Sequence, residues 1–229
     1  MVATQSLNEW LPHILDKPWL DSLAPELRVI LTVSSLTLIP VIVISMTAFT
    51  RIIIVLSLLR QALGLQQTPP NSVLIALSLF LTVFAMSGVF EQINKNSFVP
   101  YTNNSIELSA AVNNAIEPLK SFMLSQTDET HFVRVLDMAN VAAPKSRDDV
   151  SLIHLVPAFM LSELTLAFKM AFLIFLPFLM IDLLVASSLM ALGMIMVPPI
   201  TVSLPLKIMV FILIDGWTLI AGSLVQSFL

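Results

Sequence analysis

Apolar residues run through this chain in stretches too long and too unbroken for a soluble core, and the charges that interrupt them are few and isolated. Val29 to Phe49 is 21 residues without a charge, enough to cross a hydrocarbon layer as a helix. Pro40 in its middle predicts a kink. Arg51 and Arg60 then bracket the apolar run IIIVLSLL, so the helix is expected to continue past Phe49 and stop near Gly64. The QQTPPN segment, 66 to 71, is a break, because neither Pro69 nor Pro70 supplies a backbone donor and the residue before each is pushed extended. Val73 to Phe90 is a second uncharged run, of 18 residues. Residues 29–90 therefore read as a first hydrophobic helical hairpin.

The pattern then changes. Residues 91 to 153 hold eight acids and five basic residues, are rich in asparagine around 103 and 113, and contain no long apolar stretch. The segment 91–155 reads as an extra-membrane helical insert, most periodic over Ala110–Met123 and Glu129–Ala142. An Asn-Asn-Ser sequon headed by Asn103 reads as a loop. At the other end, residues 1–28 carry Glu9, Asp16, Asp21 and Glu26 against Lys17 and Arg28, with Pro12, Pro18 and Pro25. A cleavable signal needs a basic start and an unbroken apolar core, so this opening reads instead as a partly amphipathic arm, with Leu7, Trp10, Leu11, Ile14 and Leu15 on one helical face.

In the last region, 156–229, prolines are expected to cut the chain into pieces of near membrane length, 158–176, 178–197 and 206–229. The expected helix breaks are thus Pro40, Pro69, Pro70, Pro157, Pro177 and Pro205. Each piece carries charge: Glu163 and Lys169, then Asp182, then Lys207 and Asp215. A charge near a helix centre costs roughly 2.5 to 3.5 kcal/mol on insertion scales, whereas each Leu, Ile or Phe returns only about 0.3 to 0.6. Side chains meet on a helix at separations of three or four; Glu163 and Lys169 are instead about 120° apart. With no local pair, these charges must reach another helix, another subunit or water, unless Glu163 and Lys207 sit near helix ends and snorkel to the interface.

Composition agrees with a membrane class: 57% of residues are hydrophobic and 11% charged. A net charge of −4 without any run of like charges gives no footprint for nucleic acid. There is no cysteine, which excludes disulfides and thiolate metal sites. His13, His131 and His154 lack ligand spacing, and no phosphate loop, nucleophile elbow or HExxH occurs. No metal, cofactor or catalytic residue is expected. The loop holding Arg51 and Arg60 has no acids, which by the positive-inside rule puts it in the cytoplasm and the arm and insert outside.

Three segments are specific enough to suggest a family. MTAFTRIIIVLSLLRQALGLQQTPPN (46 to 71), VPAFMLSELTLAFKMAFLIFLPFLMIDLLVASSLMALGMIMVPP (156 to 199) and PLKIMVFILIDGW (205 to 217) closely resemble the FliP family. Its members are export-gate subunits of the bacterial flagellar type III secretion apparatus, related to the SctR subunit of virulence injectisomes; the RQALG and QQTPPN wording resembles the flagellar branch. The resemblance covers most of residues 29 to 229. It implies an all-α, non-enzymatic channel subunit that passes unfolded flagellar proteins across the inner membrane. Several copies would assemble with FliQ and FliR, next to FlhB and FlhA, into a closed helical stack at the flagellar basal body. It also implies tilted hairpins lying largely on the periplasmic side. Two features depart from the family pattern: an acidic arm stands where flagellar members commonly carry a cleavable signal, and Ile195 interrupts a run that is usually methionine.

On this resemblance Met190, Met194, Ile195, Met196, Pro198 and Pro199 form a loop that projects into the pore as a deformable constriction. Methionine suits such a role, being unbranched and polarizable; filling a gap in the core is the other reading, above all for Met190. Glu163 and Lys207 are expected to pair between neighbouring copies, and Asp182, Asp215 and Lys169 to make further inter-subunit charge contacts. The competing function is a proton-coupled secondary transporter, which also needs broken helices and intramembrane carboxylates. Such carriers usually show an internal repeat, and here the two long apolar runs of the first hairpin are free of charge while the second half holds every intramembrane one expected. A membrane-embedded enzyme lacks a nucleophile, base or metal set.

Overall fold

A computed structural model describes residues 44–144, 146–147 and 149–228, with Leu27, Ile30, Val33, Ser34, Thr37, Pro40 and Val41 before them. The amphipathic arm and most of the first apolar run lie outside the described residues. All regular structure among the described residues is helical. In chain order the helices are α1 (Phe49–Ala62), α2 (Asn71–Ala85), α3 (Ser87–Ile93), a π-helical turn (Asn94–Phe98), α4 (Val99–Thr102), α5 (Leu108–Gln126), α6 (Glu129–Ala139), α7 (Leu152–Ala191), α8 (Pro199–Leu213) and α9 (Gly216–Gln226). The chain divides into two compact units, one made of Met1–Thr47 with Met86–Ser162, the other of Ala48–Ala85 with Glu163–Leu229.

The second unit starts with α1, whose buried side chains Ile52, Val55, Leu56, Leu59 and Ala62 recur every three or four residues, the spacing of one helical face. The helix does not run in from the preceding apolar stretch: a turn at Met46–Ala48 separates them. It stops at Gly64, at φ +79°, where the amides of Gly64 and Leu65 donate to Gln61 and Arg60 carbonyls. That pair of bonds is the left-handed glycine cap that satisfies a helix's last carbonyls. Pro69 and Pro70 lie in the connection that follows, and Arg60 closes it by donating to the Pro69 carbonyl and to Asn71 Oδ1 at 3.0 and 2.8 Å. α1 packs on α2, which buries Leu74, Ser78, Leu81, Thr82 and Ala85. Its two buried hydroxyls donate to carbonyls one turn back, so no polar group is stranded.

α7 corrects the expected proline breaks. It is one helix of 40 residues, about 60 Å long at 1.5 Å per residue, and both Pro157 and Pro177 lie inside it. Pro205 lies inside α8, and Pro40 is itself helical. The physical reason is a count of orphaned groups. A proline within a helix removes one backbone bond and crowds one carbonyl, whereas ending the helix there would strand four carbonyls on one side and four amides on the other. In apolar surroundings the smaller loss wins. The pieces expected at 158–176 and 178–197 are therefore one helix, and the chain breaks instead after Ala191 and at Ile214–Asp215. By length and composition α7 is long and apolar enough to cross a membrane; among the described residues there are up to three spans if each bent helix pair makes one, α2 with α3–α4 and α8 with α9. α8 and α9 meet at 64°.

The first unit contains the insert. Its two periodic stretches, expected at 110–123 and 129–142, are α5 and α6. Pro100 has no N–H to offer the carbonyl of Asn96, four residues earlier, and Asn114 of α5 supplies that donor from its side chain at 3.0 Å. Ser97 Oγ donates to the Ala111 carbonyl at 2.6 Å, so the π-helical turn is held to α5 at two points. The sequon falls in a turn, with Asn104 at φ +53°. Phe122 of α5 meets Phe159 of α7 edge to face at 6.0 Å. α6 starts at Asp128, whose carboxylate accepts from the Thr130 amide at 2.8 Å, and ends at Asn140 in the left-handed region. The Asp128 amide donates to Ser162 Oγ of α7 at 3.0 Å.

That cap makes the insert sensitive to acid. The hydroxyl and amide of Thr130 hold the Asp128 carboxyl below its ordinary range. A carboxyl whose folded pKa is lowered contributes stability above its unfolded pKa, and that stability is lost as pH falls through the folded value. Amides of the first turn of α6 are expected to exchange faster in mild acid and, at neutral pH, in Asp128→Ala. Unchanged exchange in that variant would remove the cap from the account.

Candidate functional site

The loop between α7 and α8 is built by a turn and two prolines. Gly193, at φ +74°, ends α7: its amide donates to the Met190 carbonyl and that of Met194 to Leu189. Pro198 is extended at the start of α8 and Pro199 takes its first position, where a missing amide costs nothing. Between these ends Met190, Leu192, Met194, Ile195 and Met196 are all exposed, Ile195 at 84% and Met196 at 97%. Pro198 and Pro199 are exposed as well. A run of bare apolar side chains at the tip of two apolar helices has no packing partner among the described residues, and such patches mark surfaces that meet something else. Met190 is exposed rather than filling a gap among the described residues.

The charges are arranged differently from the sequence expectation. Glu163 and Arg51 are both fully buried, and their side chains meet through two parallel bonds: Arg51 Nε donates to Glu163 Oε2 at 2.9 Å, and Nη2 to Oε1. Nη1 donates to the carbonyl and hydroxyl oxygens of Ser227 at 3.2 and 3.0 Å. The guanidinium carbon sits 3.8 Å from the centre of the Phe228 ring. One arginine of α1 thus holds α7 and the end of the chain after α9. Planar, forked and weakly hydrated, a guanidinium can make all these contacts at once, as an ammonium cannot.

Lys207 of α8 is also buried. Its Nζ donates to Asp182 Oδ2 of α7 at 2.6 Å and to the Ala62 carbonyl at 3.1 Å. Ala62 is in the last turn of α1, where carbonyls lack helical donors and the helix dipole favours a cation. Glu163 and Lys207, expected to pair with one another across copies, therefore each have a partner within the chain, and Asp182 is one of them. The reason is distance along the sequence: helical spacing excludes pairs on one helix but says nothing of Arg51, 112 positions away. Arg51 was read from the sequence as a cytoplasmic loop charge; buried and neutralised in a helix, it leaves Arg60 as the loop's basic residue. The signal that could have found it is present, since Arg51 opens an apolar helix with no acid near it. Lys169 and Asp215 are exposed.

An aromatic row ties α7, α8 and α9 together. Phe211 lies 6.3 Å from Phe178 and 5.3 Å, edge to face, from Trp217. Asp215 sits in the left-handed region at φ +50°, and Gly216 after it is covered by the Phe211 ring. Nothing in the local sequence pattern brings a ring from five residues back over the elbow, so this contact is visible only in the fold.

A sequence model of the FliP family matches residues 30–224. The chain is 46% identical over 221 residues to the flagellar biosynthetic protein FliP of Pectobacterium carotovorum subsp. carotovorum, covering 95% of this chain and 86% of that one. It is 44% identical over 222 residues to the protein of the same name from Bacillus subtilis, covering 97% and 100%. The Aquifex aeolicus protein is 42% identical over 220 residues, 95% and 92%.

Proposed function

This chain belongs to the FliP family, and from that premise we propose that it is a pore-forming subunit of the flagellar type III protein-export gate, passing unfolded flagellar proteins across the bacterial inner membrane. Several copies act together with FliQ and FliR, next to FlhB and FlhA, at the basal body, with much of the assembly on the periplasmic side. The role is that of a conduit, without catalysis. Its working parts follow the sequence regions: the arm 1–28, the hairpin 29–90, the periplasmic insert 91–155, and the charged region 156–229 that carries the pore loop.

The observation that carries this reading is the bare apolar loop from Met190 to Val197, with Met196 nearly fully exposed. A ring of such loops closes to ions through soft thioether contacts and yields to a polypeptide. Met194→Ala with Met196→Ala is expected to make resting cells conduct ions while the gate still assembles; a resting conductance equal to that of unsubstituted cells would sink the constriction. The buried ion pair speaks against the transporter reading. A proton relay needs a carboxylate free to change partners, and Glu163 is gripped by an arginine that does not release its proton in proteins.

A further inference from the structure

Two charges in the second unit are left over. Lys169 of α7 and Asp215 of the α8–α9 elbow are exposed, and neither has an ion partner among the described residues. Each stands in apolar surface. Phe168, Phe172 and Leu173 flank the lysine, and Ile212, Leu213 and Ile214 precede the aspartate, all of them exposed. Residues either side of Lys169 also line an open apolar groove with Leu58 of α1. A lone charge in such surroundings is costly and needs an opposite charge.

The register of α7 against α8 says at what level the two charges lie. Phe178 meets Phe211 and Asp182 meets Lys207, so the helices are antiparallel, each step forward on one matched by a step back on the other. Continued to the elbow, this register sets Asp215 opposite Ile174, five residues from Lys169, or about 7.5 Å along the axis. That gap is within the scale of an extended lysine stem leaning along its helix. The direction differs, however. Lys169 is nine positions before Phe178, about half a turn out of phase, so it leaves α7 on the side away from α8. One chain therefore carries opposite charges at nearly one level on opposite sides, and cannot join them itself.

We propose that Lys169 of one copy pairs with Asp215 of its neighbour, so that the side of α7 turned away from α8 is the one on which a second copy seats its α8–α9 elbow. Copies related by rotation about an axis along these helices keep both charges level, and a head-to-tail interface repeats until the ring closes. Every lysine then meets an aspartate. The inference rests on the reading of the chain as one of several copies.

The chain has no cysteine, which makes the test direct. A Lys169→Cys chain and an Asp215→Cys chain, each with its own tag, are co-expressed full-length in cells making the other gate subunits, and the membranes are treated with a bis-maleimide whose span matches that of a lysine–aspartate bridge, since the offset is too long for a direct disulfide. The expected product is a cross-linked dimer bearing both tags, in large excess over dimers bearing one. Separately, Lys169→Asp and Asp215→Lys should each lower the oligomer fraction on native gels, and the two together should restore it. An intact oligomer without the mixed cross-link, or a double swap no better than either single, overturns the pairing and leaves the gate reading standing. Failure of the unsubstituted protein to form any oligomer would overturn the multi-copy reading instead.

Discussion

Arg51→Ala is expected to lower the stability of the second unit by about 3 to 5 kcal/mol, the usual cost of removing one partner of a fully buried ion pair. The substitution takes both bonds from a carboxylate that has no water to replace them, strips Ser227 of two donors and uncovers the Phe228 ring. Glu163→Gln is expected to fall in the same range, because it leaves the arginine charged and buried without a carboxylate. Replacing both, Arg51→Met with Glu163→Leu, removes both charges together and should recover much of the loss, since a buried pair is often matched by apolar residues of similar volume. Thermal melting of the purified protein in detergent, followed by circular dichroism, compares the three variants. A loss under about 1 kcal/mol for either single would mean the pair behaves like a solvated one.

Gly216→Ala is expected to be the next most damaging change, at about 1 to 3 kcal/mol for forcing extra volume into a packed site. A Cβ at that position would lie 2.2 Å from one atom of the Phe211 ring and 2.3 and 2.7 Å from two others. The ring has nowhere to go: it is buried, with Phe178 and Trp217 against it. The clash is resolved only by moving α9 relative to α8, which opens the 64° elbow. Phe211→Leu in the same chain should remove part of the clash, so the double variant should be less destabilised than the sum of the two singles. Additive losses in the melting series would show that the ring is not what limits residue 216.

Much of the architecture follows from local pattern. The apolar runs announce a membrane protein, and the periodic stretches of the insert fall within a few residues of α5 and α6, because amphipathic spacing is a property of the helix itself. The loop from Met190 to Pro199 comes from the family resemblance instead, since the local pattern alone reads as one apolar piece over 178–197, whereas α7 ends at Ala191. The prolines at 157, 177 and 205 misled because each is a strong local signal whose cost is fixed at about 3 kcal/mol or more. The gain from staying helical grows instead with the apolar length on either side, and that total is invisible at the proline itself.

The charges divide the same way. Spacing alone determined that Glu163, Lys169, Asp182, Lys207 and Asp215 find no partner on their own helices, since separations of six, thirteen and eight place them on different faces. Which partner each takes was decided by tertiary structure. Arg51 reaches Glu163 across 112 positions because the fold brings the start of α1 to the first half of α7, and Lys207 reaches the last turn of α1 because that helix ends at Gly64. A pattern of residues fixes what a helix must hide; only the packing of one helix on another, settled by side-chain volume over the whole buried face, fixes what it is hidden against.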